Sequence, residues 1–366
     1  MHFPSAGTLP RLSKGTPVNE PEATPGIEPG AVTAWLAAHV GLVPPLRFFR
    51  IPGGRSNLTY TVTDAAGRRV VVRRPPLGNV LATAHDVARE FRIISALGPT
   101  HVPVAPSLAL CRDPDVTGAP FYVMDYVDGA VLHDLATVET AFGVAERGVL
   151  ATDLVDVLAR LHTVDSDEVG LGDLGRKEGY VARQLKRWAA QWEQSRTRDL
   201  PEIDRVHDRL ARHIPAQGPA AVVHGDFRLG NCISARLDGA PRIAAVLDWE
   251  LCTLGDPLAD VGYMLGFWVQ PDDTEPVRED EPSQAHGFPP RDTLLARYAE
   301  QSGRDVSEID FYIAFAWWKV AVIVEGVYAR YRAGVMGQDE AFDVAKYGEG
   351  VVTLARAADR ASARLS

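Results

Sequence analysis

Three polar residues stand at the ends of two short apolar runs in the middle of the chain. Asp226 and Asn231 lie in the motif HGDFRLGN (224–231), which follows the run AAVV, and Asp248 ends the run AAVLD. Short apolar runs of this kind are consistent with buried strands. A carboxylate at a strand end can accept a hydroxyl proton, and carboxylate and amide oxygens suit a hard cation such as Mg²⁺. The three residues are either a site with a proton acceptor and metal ligands or only polar turn residues, and each of them alone is more typical of a turn.

Residues upstream add the other groups that phosphoryl transfer requires. Such a reaction needs a loop around the phosphates, a fixed cation on them, metal ligands, and a base for the incoming hydroxyl. The chain has a glycine turn at Gly53 and Gly54, Arg73 at a strand end 20 residues after Gly53, and Glu90 in the next predicted helix. With Asp226 following, this is the order of the protein-kinase template.

Arg73 occupies the place where that template has a lysine. No lysine occurs between Lys14 and Lys177, so the first part of the chain cannot supply one. An arginine can bridge phosphate oxygens with two donors and pair with Glu90, although its wider fork requires a different phosphate geometry. A solvent-facing strand end is the competing interpretation. Side chains alternate along a strand, so we expect the adjacent Arg74 to be a surface or rim residue.

Three segments of the chain together resemble a known family. HGDFRLGN, VLDWE (246–250) and GDPLADVG (255–262) are similar to motifs of the aminoglycoside phosphotransferase and choline kinase-like family. RRPP (73–76) and WWKVAVIVEGVYARY (317–331) resemble the subgroup of kinase-like domains fused to acyl-CoA dehydrogenases. The resemblance covers residues 29–360. It implies ATP- and Mg²⁺-dependent transfer of the γ-phosphoryl to a hydroxyl of a small molecule, by direct in-line attack.

The resemblance also implies a role for each residue of the central motif. Asp226 is expected to accept or orient the hydrogen of the substrate hydroxyl, and Asn231 and Asp248 are expected to hold Mg²⁺. Glu250 is expected to make either a second metal contact or a substrate contact, and both options stay open. His224 is expected to brace the loop through hydrogen bonds rather than to take part in the chemistry.

Two further segments are candidates for nucleotide contacts. Ser56 and Asn57 follow the glycine turn, where backbone N–H groups and small polar side chains can cap phosphates. A plain hairpin turn is the alternative. The strand FYVMDYV ends in a segment expected to form a hinge between two lobes, whose backbone groups meet the adenine edge. The residues of that segment are Met124, Asp125, Tyr126 and Val127.

Other residues are expected to support the site or the core. In GDPLADVG, Asp256 and Asp260 are expected to support the metal-binding loop, with a simple helix cap as the alternative. His162 is expected to be a structural histidine on the core face of a helix. The aromatic residues of the long helix near the end of the chain are expected to pack in the core, with a wall of the acceptor pocket as the alternative. These residues are Trp317, Trp318, Tyr328 and Tyr331.

The elements that position these residues change in kind near residue 125. Residues 1–28 lack periodicity and are predicted to form a flexible arm. Residues 29–124 begin with a helix that is followed by β-β-β-α-β-β. This order predicts a lobe with a small antiparallel sheet and one helix between its strands, and the family resemblance implies that this lobe binds the nucleotide. Residues 125–366 are mainly helical and carry the catalytic motif. The predicted fold class is therefore α+β, a bilobal protein kinase-like fold.

Composition argues against several classes of protein. A chain of 366 residues with 46% hydrophobic content can build two cores. No uninterrupted apolar run reaches the roughly 18 residues of a membrane helix, and the start has no signal pattern. Three scattered cysteines make neither a disulfide framework nor a zinc motif. We therefore expect a cytoplasmic protein. A net charge of −10 without basic runs argues against nucleic acid, and oligomeric state is left open.

The acceptor and the catalytic competence have alternative interpretations. Residues 29–124 contain 10 arginines and 5 acidic residues, whereas residues 125–366 contain 26 basic and 40 acidic residues. This is either ordinary surface variation or a basic lobe near a polyanion and an acidic lobe near a metal or cationic substrate. The acidic lobe suits an aminoglycoside, but the subgroup resemblance implies a hydroxyacyl group or another metabolite.

The alternative function is a nucleotide-binding regulatory module without catalysis, which only the missing lysine supports. A metal-dependent hydrolase would leave the Arg73–Glu90 pair unexplained.

Overall fold

The structure is a computed structural model that divides into two compact units. It describes residues 24–51, 57–77, 86–271, 273, 280–334 and 344–365. The β-rich unit comprises the described residues up to Asp128 together with Ala244–Glu250, and the helical unit comprises Gly129–Ile243 and the described residues from Leu251 onward. Gly53, Gly54, Ser56 and most of the predicted arm lie outside the described residues.

The β-rich unit is built on a five-stranded antiparallel sheet. Its elements are α1 (Pro29–Val40), β1 (Arg47–Arg50), β2 (Leu58–Thr63), β3 (Arg69–Arg74), α2 (Val87–Leu97), β4 (Ser107–Cys111), α3 (Pro114–Thr117) and β5 (Phe121–Asp125). The strand order is β1-β2-β3-β5-β4, and every neighbouring pair is antiparallel. The predicted order of strands and helix agrees with this, and the short α3 was not predicted.

The two faces of β3 have different partners. Val70 and Val72 are fully buried in a core that includes Leu36 of α1. Arg74 shares their face because side chains alternate along a strand. It is 3% exposed and donates to the carbonyl oxygens of Gly26 and Thr117. The prediction of a surface or rim position for Arg74 is therefore wrong, since the segment before α1 and the end of α3 cover this face.

The helical unit surrounds two small sheets with long helices. Its elements are β6 (Ala130–Val131), α4 (Leu135–Ala141), α5 (Val144–Thr163), α6 (Tyr180–Ser195), α7 (Pro201–Arg212), β7 (Ala221–Val223), β8 (Cys232–Leu237), β9 (Ala240–Val246), β10 (Thr253–Gly255), α8 (Leu258–Gly266), α9 (Arg291–Ser302), α10 (Ile309–Arg332) and α11 (Val344–Ser362). Strand β7 pairs with β10, and β8 lies between β6 and β9. The last part of β9 belongs to the β-rich unit.

Helix α10 is the central element of the helical unit. It packs against α6, α7, α8 and α11, and its side chains Phe311, Phe315 and Trp318 are buried. By length and composition alone it is the one helix in the described parts of the chain that could cross a membrane. The count of uninterrupted apolar residues did not predict this because Lys319 and Glu325 interrupt the run. Both charged residues are buried, so the helix has the surroundings of a core helix.

Candidate active site

The backbone of the loop that follows β7 is held by one buried carboxylate. The N–H groups of His224 and Gly225 donate to Asp260 at 2.6 and 2.7 Å. Asp260 lies in the first turn of α8 and is fully buried. Gly225 has a φ of 89°, and a Cβ there would lie 2.9 Å from the side chain of Leu251, so only glycine fits. As predicted, Asp260 supports the loop of the central motif.

Asp260 is itself held by a neutral histidine. The Nε2 atom of His162 lies 3.3 Å from Asp260 and its Nδ1 lies 2.8 Å from the hydroxyl of Tyr298. Burial lowers the pKa of His162, and Asp260 only partly opposes this. Burial would raise the pKa of Asp260, but the hydrogen bonds from His162 and Gly225 hold it below its ordinary value. Nε2 therefore carries the proton, Nδ1 accepts from Tyr298, and the structural role predicted for His162 is confirmed.

Asp260→Asn is expected to lower the free energy of unfolding by about 2–3 kcal/mol, because an amide cannot accept from both loop N–H groups and leaves one buried donor unpaired. Denaturant unfolding measures this change. Asp208→Asn is the matched control, since the side chain of Asp208 is 72% exposed and such a site changes stability little. Equal stability of the Asp260 variant and the control would show that the loop does not depend on this carboxylate.

Asp226 has a fixed backbone and a carboxylate oxygen that is ready to accept a hydrogen bond. Its N–H donates to Nδ1 of His224 at 3.2 Å, and the amide of Asn231 donates to its carbonyl oxygen at 2.8 Å. Oδ1 is buried, lies 3.5 Å from Nε of Arg228, and has no hydrogen-bond partner among the described residues. A buried acceptor in this condition suits a donor on a ligand. The bracing role predicted for His224 is confirmed by its bond to Asp226.

Lys319 of α10 also contacts this loop and was not predicted as a site residue. Its Nζ donates to the carbonyl oxygen of Gly225 at 3.2 Å, and the residue is 7% exposed. Burial lowers the pKa of Lys319, whereas Asp260 and Asp226 act in the opposite direction. One feature of the sequence could have identified Lys319 as a site residue: it is the only charged residue in the stretch 311–324. Lysines are almost never fully buried without a partner.

In the β-rich unit, Arg73 brings together two other predicted site residues. Its Nε lies 2.9 Å from Glu90, and its Nη2 lies 3.1 Å from Asp248. The side chains of Arg73 and Glu90 are 15% and 3% exposed, so the solvent-facing alternative for Arg73 is excluded. Burial opposes the charge of Arg73, but Glu90 and Asp248 raise its pKa above the ordinary value. Burial raises the pKa of Glu90, and Arg73 counteracts this.

Two further side chains complete the surroundings of Glu90. The amide of Asn57 donates to Oε1 at 2.8 Å, and the hydroxyl of Tyr122 donates to Oε2 at 3.2 Å. Asn57 is 2% exposed, so its amide is directed at Glu90 and not outward as a phosphate cap, which differs from the prediction for this side chain. Tyr122 was not predicted as a site residue because it reads as an ordinary strand aromatic.

Asp248 and Glu250 follow β9 in the β-rich unit. Asp248 has a φ of 65°, a left-handed conformation that aspartate tolerates better than most residues. Arg73 contacts Oδ1 of Asp248, and the Asp248 side chain is still 35% exposed. Nη1 of Arg89 lies 3.4 Å from the carbonyl oxygen of Glu250. The structure adds no contact that decides between the metal and substrate roles of Glu250.

The predicted metal ligands offer the oxygen donors that Mg²⁺ prefers. Asn231 uses its amide nitrogen for the bond to Asp226, which leaves the amide oxygen as the ligand atom. Asn231 belongs to the helical unit and Asp248 to the β-rich unit. In the described residues, no group of three or more His, Cys, Asp and Glu side chains could hold a metal. Mg²⁺ commonly binds through one or two protein ligands with water and phosphate oxygens, so the oxygen atoms of each residue, taken separately, suit it.

The predicted hinge segment begins inside β5. The strand ends at Asp125, two residues earlier than predicted, and Met124 is 9% exposed. The N–H of Asp125 donates to Pro106 at 2.9 Å, and the N–H of Tyr126 donates to Arg69 at 3.4 Å. The guanidinium of Arg69 also stacks over the ring of Tyr126, 4.0 Å from its centre. The hinge and adenine roles of this segment, including Val127, stay predictions.

Asp256 and the aromatic residues of α10 fix the position of α8. Asp256 accepts from the N–H of Leu258 at 3.1 Å and from the hydroxyl of Tyr312 at 2.6 Å. Asp256 therefore lies one residue before the N-cap Pro257, binds the first N–H of α8, and ties this helix to α10. Trp318 is fully buried, as predicted. Trp317 is partly exposed, and its indole N–H donates to Gly266 at 2.8 Å.

Solved structures that are similar to this chain have the protein kinase-like phosphotransferase fold. A crystal structure from Ralstonia eutropha JMP134, provisionally described as an aminoglycoside phosphotransferase, is 32% identical with a TM-score of 0.76, and the match covers 92% of this chain and 98% of that one. The predicted α+β protein kinase-like fold class is confirmed. Residues 48–307 match the phosphotransferase enzyme family APH, and the chain belongs to that family.

Two curated relatives extend the comparison. Acyl-CoA dehydrogenase family member 10 of Mus musculus is 33% identical over 350 residues, which are 94% of this chain and 32% of that protein. Viomycin phosphotransferase of Streptomyces vinaceus is 27% identical over 243 residues, which are 64% of this chain and 73% of that protein. The predicted resemblance to the family and to the acyl-CoA dehydrogenase-linked subgroup is confirmed. The chain spans about a third of the length of the relatives named for acyl-CoA dehydrogenase.

Proposed function

We propose that the chain is an ATP- and Mg²⁺-dependent phosphotransferase that moves the γ-phosphoryl group to a hydroxyl of a small molecule. The observation that carries this proposal is the state of the Asp226 carboxylate. Its buried Oδ1 has no hydrogen-bond partner in the described part of the chain, and the backbone around it is fixed by His224, Asn231 and Asp260. A general base must be held within hydrogen-bond reach of the proton that it accepts. Membership of the phosphotransferase family supports the same reaction.

Asp226 assists a direct, in-line transfer. The substrate hydroxyl donates its hydrogen to the Asp226 carboxylate while its oxygen forms a bond to the γ-phosphorus. The bond between that phosphorus and the β–γ bridging oxygen breaks, ADP leaves, and the proton passes to Asp226. Arg228, 3.5 Å from Oδ1, helps to orient the carboxylate. No covalent enzyme intermediate is required.

The nucleotide is bound by groups of the β-rich unit. Arg73, held by Glu90, contacts the phosphates through its guanidinium. The segment with Gly53, Gly54, Ser56 and the backbone of Asn57 is the proposed phosphate-binding segment, and the segment 124–127 is the proposed adenine contact. Asn231 and Asp248 would supply the protein ligands of Mg²⁺. A bound ion would neutralise charge that develops on the transferring phosphoryl.

A hydroxyacyl group or another hydroxylated metabolite is the favoured acceptor over an aminoglycoside. The similarity to the mouse acyl-CoA dehydrogenase family member covers 94% of this chain, whereas that to viomycin phosphotransferase covers 64%. The cationic side chain of Arg228 also lies beside Asp226, with its Nε 3.5 Å from Oδ1. Positive charge beside the base disfavours a polycationic acceptor.

A product screen tests the proposal. Purified protein is incubated with Mg-ATP and a panel of hydroxyacyl-CoA compounds, other hydroxylated metabolites and aminoglycosides, and phosphorylated products are detected by mass spectrometry. We expect a product whose formation requires both Mg²⁺ and Asp226. Nucleotide binding without a product from any member of the panel would instead favour the regulatory module without catalysis.

A further inference from the structure

Lys319 is a buried charged residue to which the reaction proposed above gives no direct role. It is 7% exposed, lies beside the fully buried Trp318, and follows a run of apolar and aromatic residues in α10. An ammonium group loses hydration when it is buried, and this costs free energy unless polar groups compensate. An apolar side chain would fill the same space without that cost. A lysine here indicates an interaction that an apolar side chain cannot make.

The partner of Lys319 is the peptide group that directly precedes Asp226. Its Nζ donates to the carbonyl oxygen of Gly225 at 3.2 Å, and the N–H on the other side of the same peptide bond donates to His224 at 3.2 Å. The preceding N–H groups donate to Asp260. A peptide group is planar, so partners at both ends fix its orientation. This orientation sets where the side chain of Asp226 begins.

We propose that Lys319 is a positioning residue for Asp226, which it holds in place by fixing the Gly225–Asp226 peptide group. The inference rests on the proposed role of Asp226. Lys319 acts from α10, and His224 and Asp260 act from the loop itself and from α8. The loop is therefore held by its own residue His224, by Asp260 of α8 and by Lys319 of α10. Among these three, Lys319 is the residue that binds the carbonyl oxygen of Gly225.

Lys319→Met removes the donor and the charge and keeps a long side chain. Its expected effect is a fall in kcat on the order of 100-fold, because a small displacement of a catalytic group has an effect of that size. KM for ATP and nucleotide affinity are expected to stay unchanged. The melting temperature is expected to change little, because removal of a buried charge offsets the loss of the donor to the Gly225 carbonyl. Lys319→Arg, which keeps a cationic donor, is expected to recover part of the rate. Lys186→Met, at an exposed position of α6, is the control and is expected to behave as the wild type.

The results separate a positioning role from a structural one. A Lys319→Met protein with the wild-type kcat would overturn the proposal. So would a loss of melting temperature that accounts for the loss of rate, or a variant that does not fold while Lys319→Arg is folded and active. The first outcome would show that Asp226 does not depend on Lys319, and the other two would show that Lys319 serves only the stability of the helical unit.

Hydrogen exchange tests the same inference without turnover. In the 366-residue chain, Lys319→Met is expected to speed amide exchange in peptides that contain residues 222–231, while peptides from α11 keep the wild-type rate. Unchanged exchange in the loop would overturn the positioning role. If the product screen finds no acceptor, the proposed function fails but this measurement still decides whether Lys319 holds the loop.

Discussion

Asp226→Asn is expected to abolish phosphoryl transfer and to leave nucleotide binding intact. An amide of nearly the same shape cannot take the hydroxyl proton, and loss of a general base lowers rates by roughly 10²–10⁴-fold. The fold of the loop is expected to persist, because the bonds to His224 and Asn231 involve the backbone of Asp226 and not its carboxylate. Product formation with the best acceptor and nucleotide affinity by calorimetry give the two readouts.

The Asp226 experiment has a matched control in the same unit. Asp208→Asn changes an exposed aspartate of α7 and is expected to leave both readouts at the wild-type value. Full activity of the Asp226 variant would remove this carboxylate from the reaction. Loss of both transfer and nucleotide binding would point to a disturbed structure, which the melting temperature would then show.

Arg73→Ala is expected to weaken nucleotide binding by at least about tenfold, the effect of losing one charge-assisted contact of roughly 1.5–3 kcal/mol. It is also expected to lower the free energy of unfolding by about 3–5 kcal/mol, because the substitution leaves the buried carboxylate of Glu90 without its cation. The same guanidinium contacts Asp248, so the substitution also disturbs a proposed metal ligand. Titration with ATP and denaturant unfolding measure the two effects.

Two further variants separate nucleotide binding from stability. Combining Arg73→Ala with Glu90→Gln removes the orphaned charge, so stability is expected to recover while nucleotide affinity stays low. Arg73→Lys restores a cation, but a single ammonium does not reproduce the fork that contacts Glu90 and Asp248 together, so an intermediate affinity is expected. Wild-type affinity and turnover in Arg73→Ala would exclude Arg73 from the nucleotide site.

Much of the fold followed from local patterns. The helix followed by β-β-β-α-β-β that was predicted for residues 29–124 agrees with the observed order from α1 to β5, apart from the short α3. Apolar residues at regular spacing are sufficient for such predictions, because the periodicity of a helix or strand is a property of neighbouring residues. Local patterns did not predict the boundaries of the compact units. The segment Ala244–Glu250 belongs to the β-rich unit, although the other described residues of that unit end at Asp128.

The residue types and spacing of the central motif were sufficient to propose Asp226 as a site residue, and the order of Arg73 and Glu90 along the chain was sufficient to predict their pairing. The tertiary structure alone decided the burial of Arg74, the contact of Asn57 with Glu90, and the contact of Lys319 with the loop that follows β7. The reason is physical: whether a polar side chain is buried, and which partner compensates it, depends on segments far away in the sequence that pack around it. Lys319 and Gly225 are 94 positions apart, and no local pattern records that they meet.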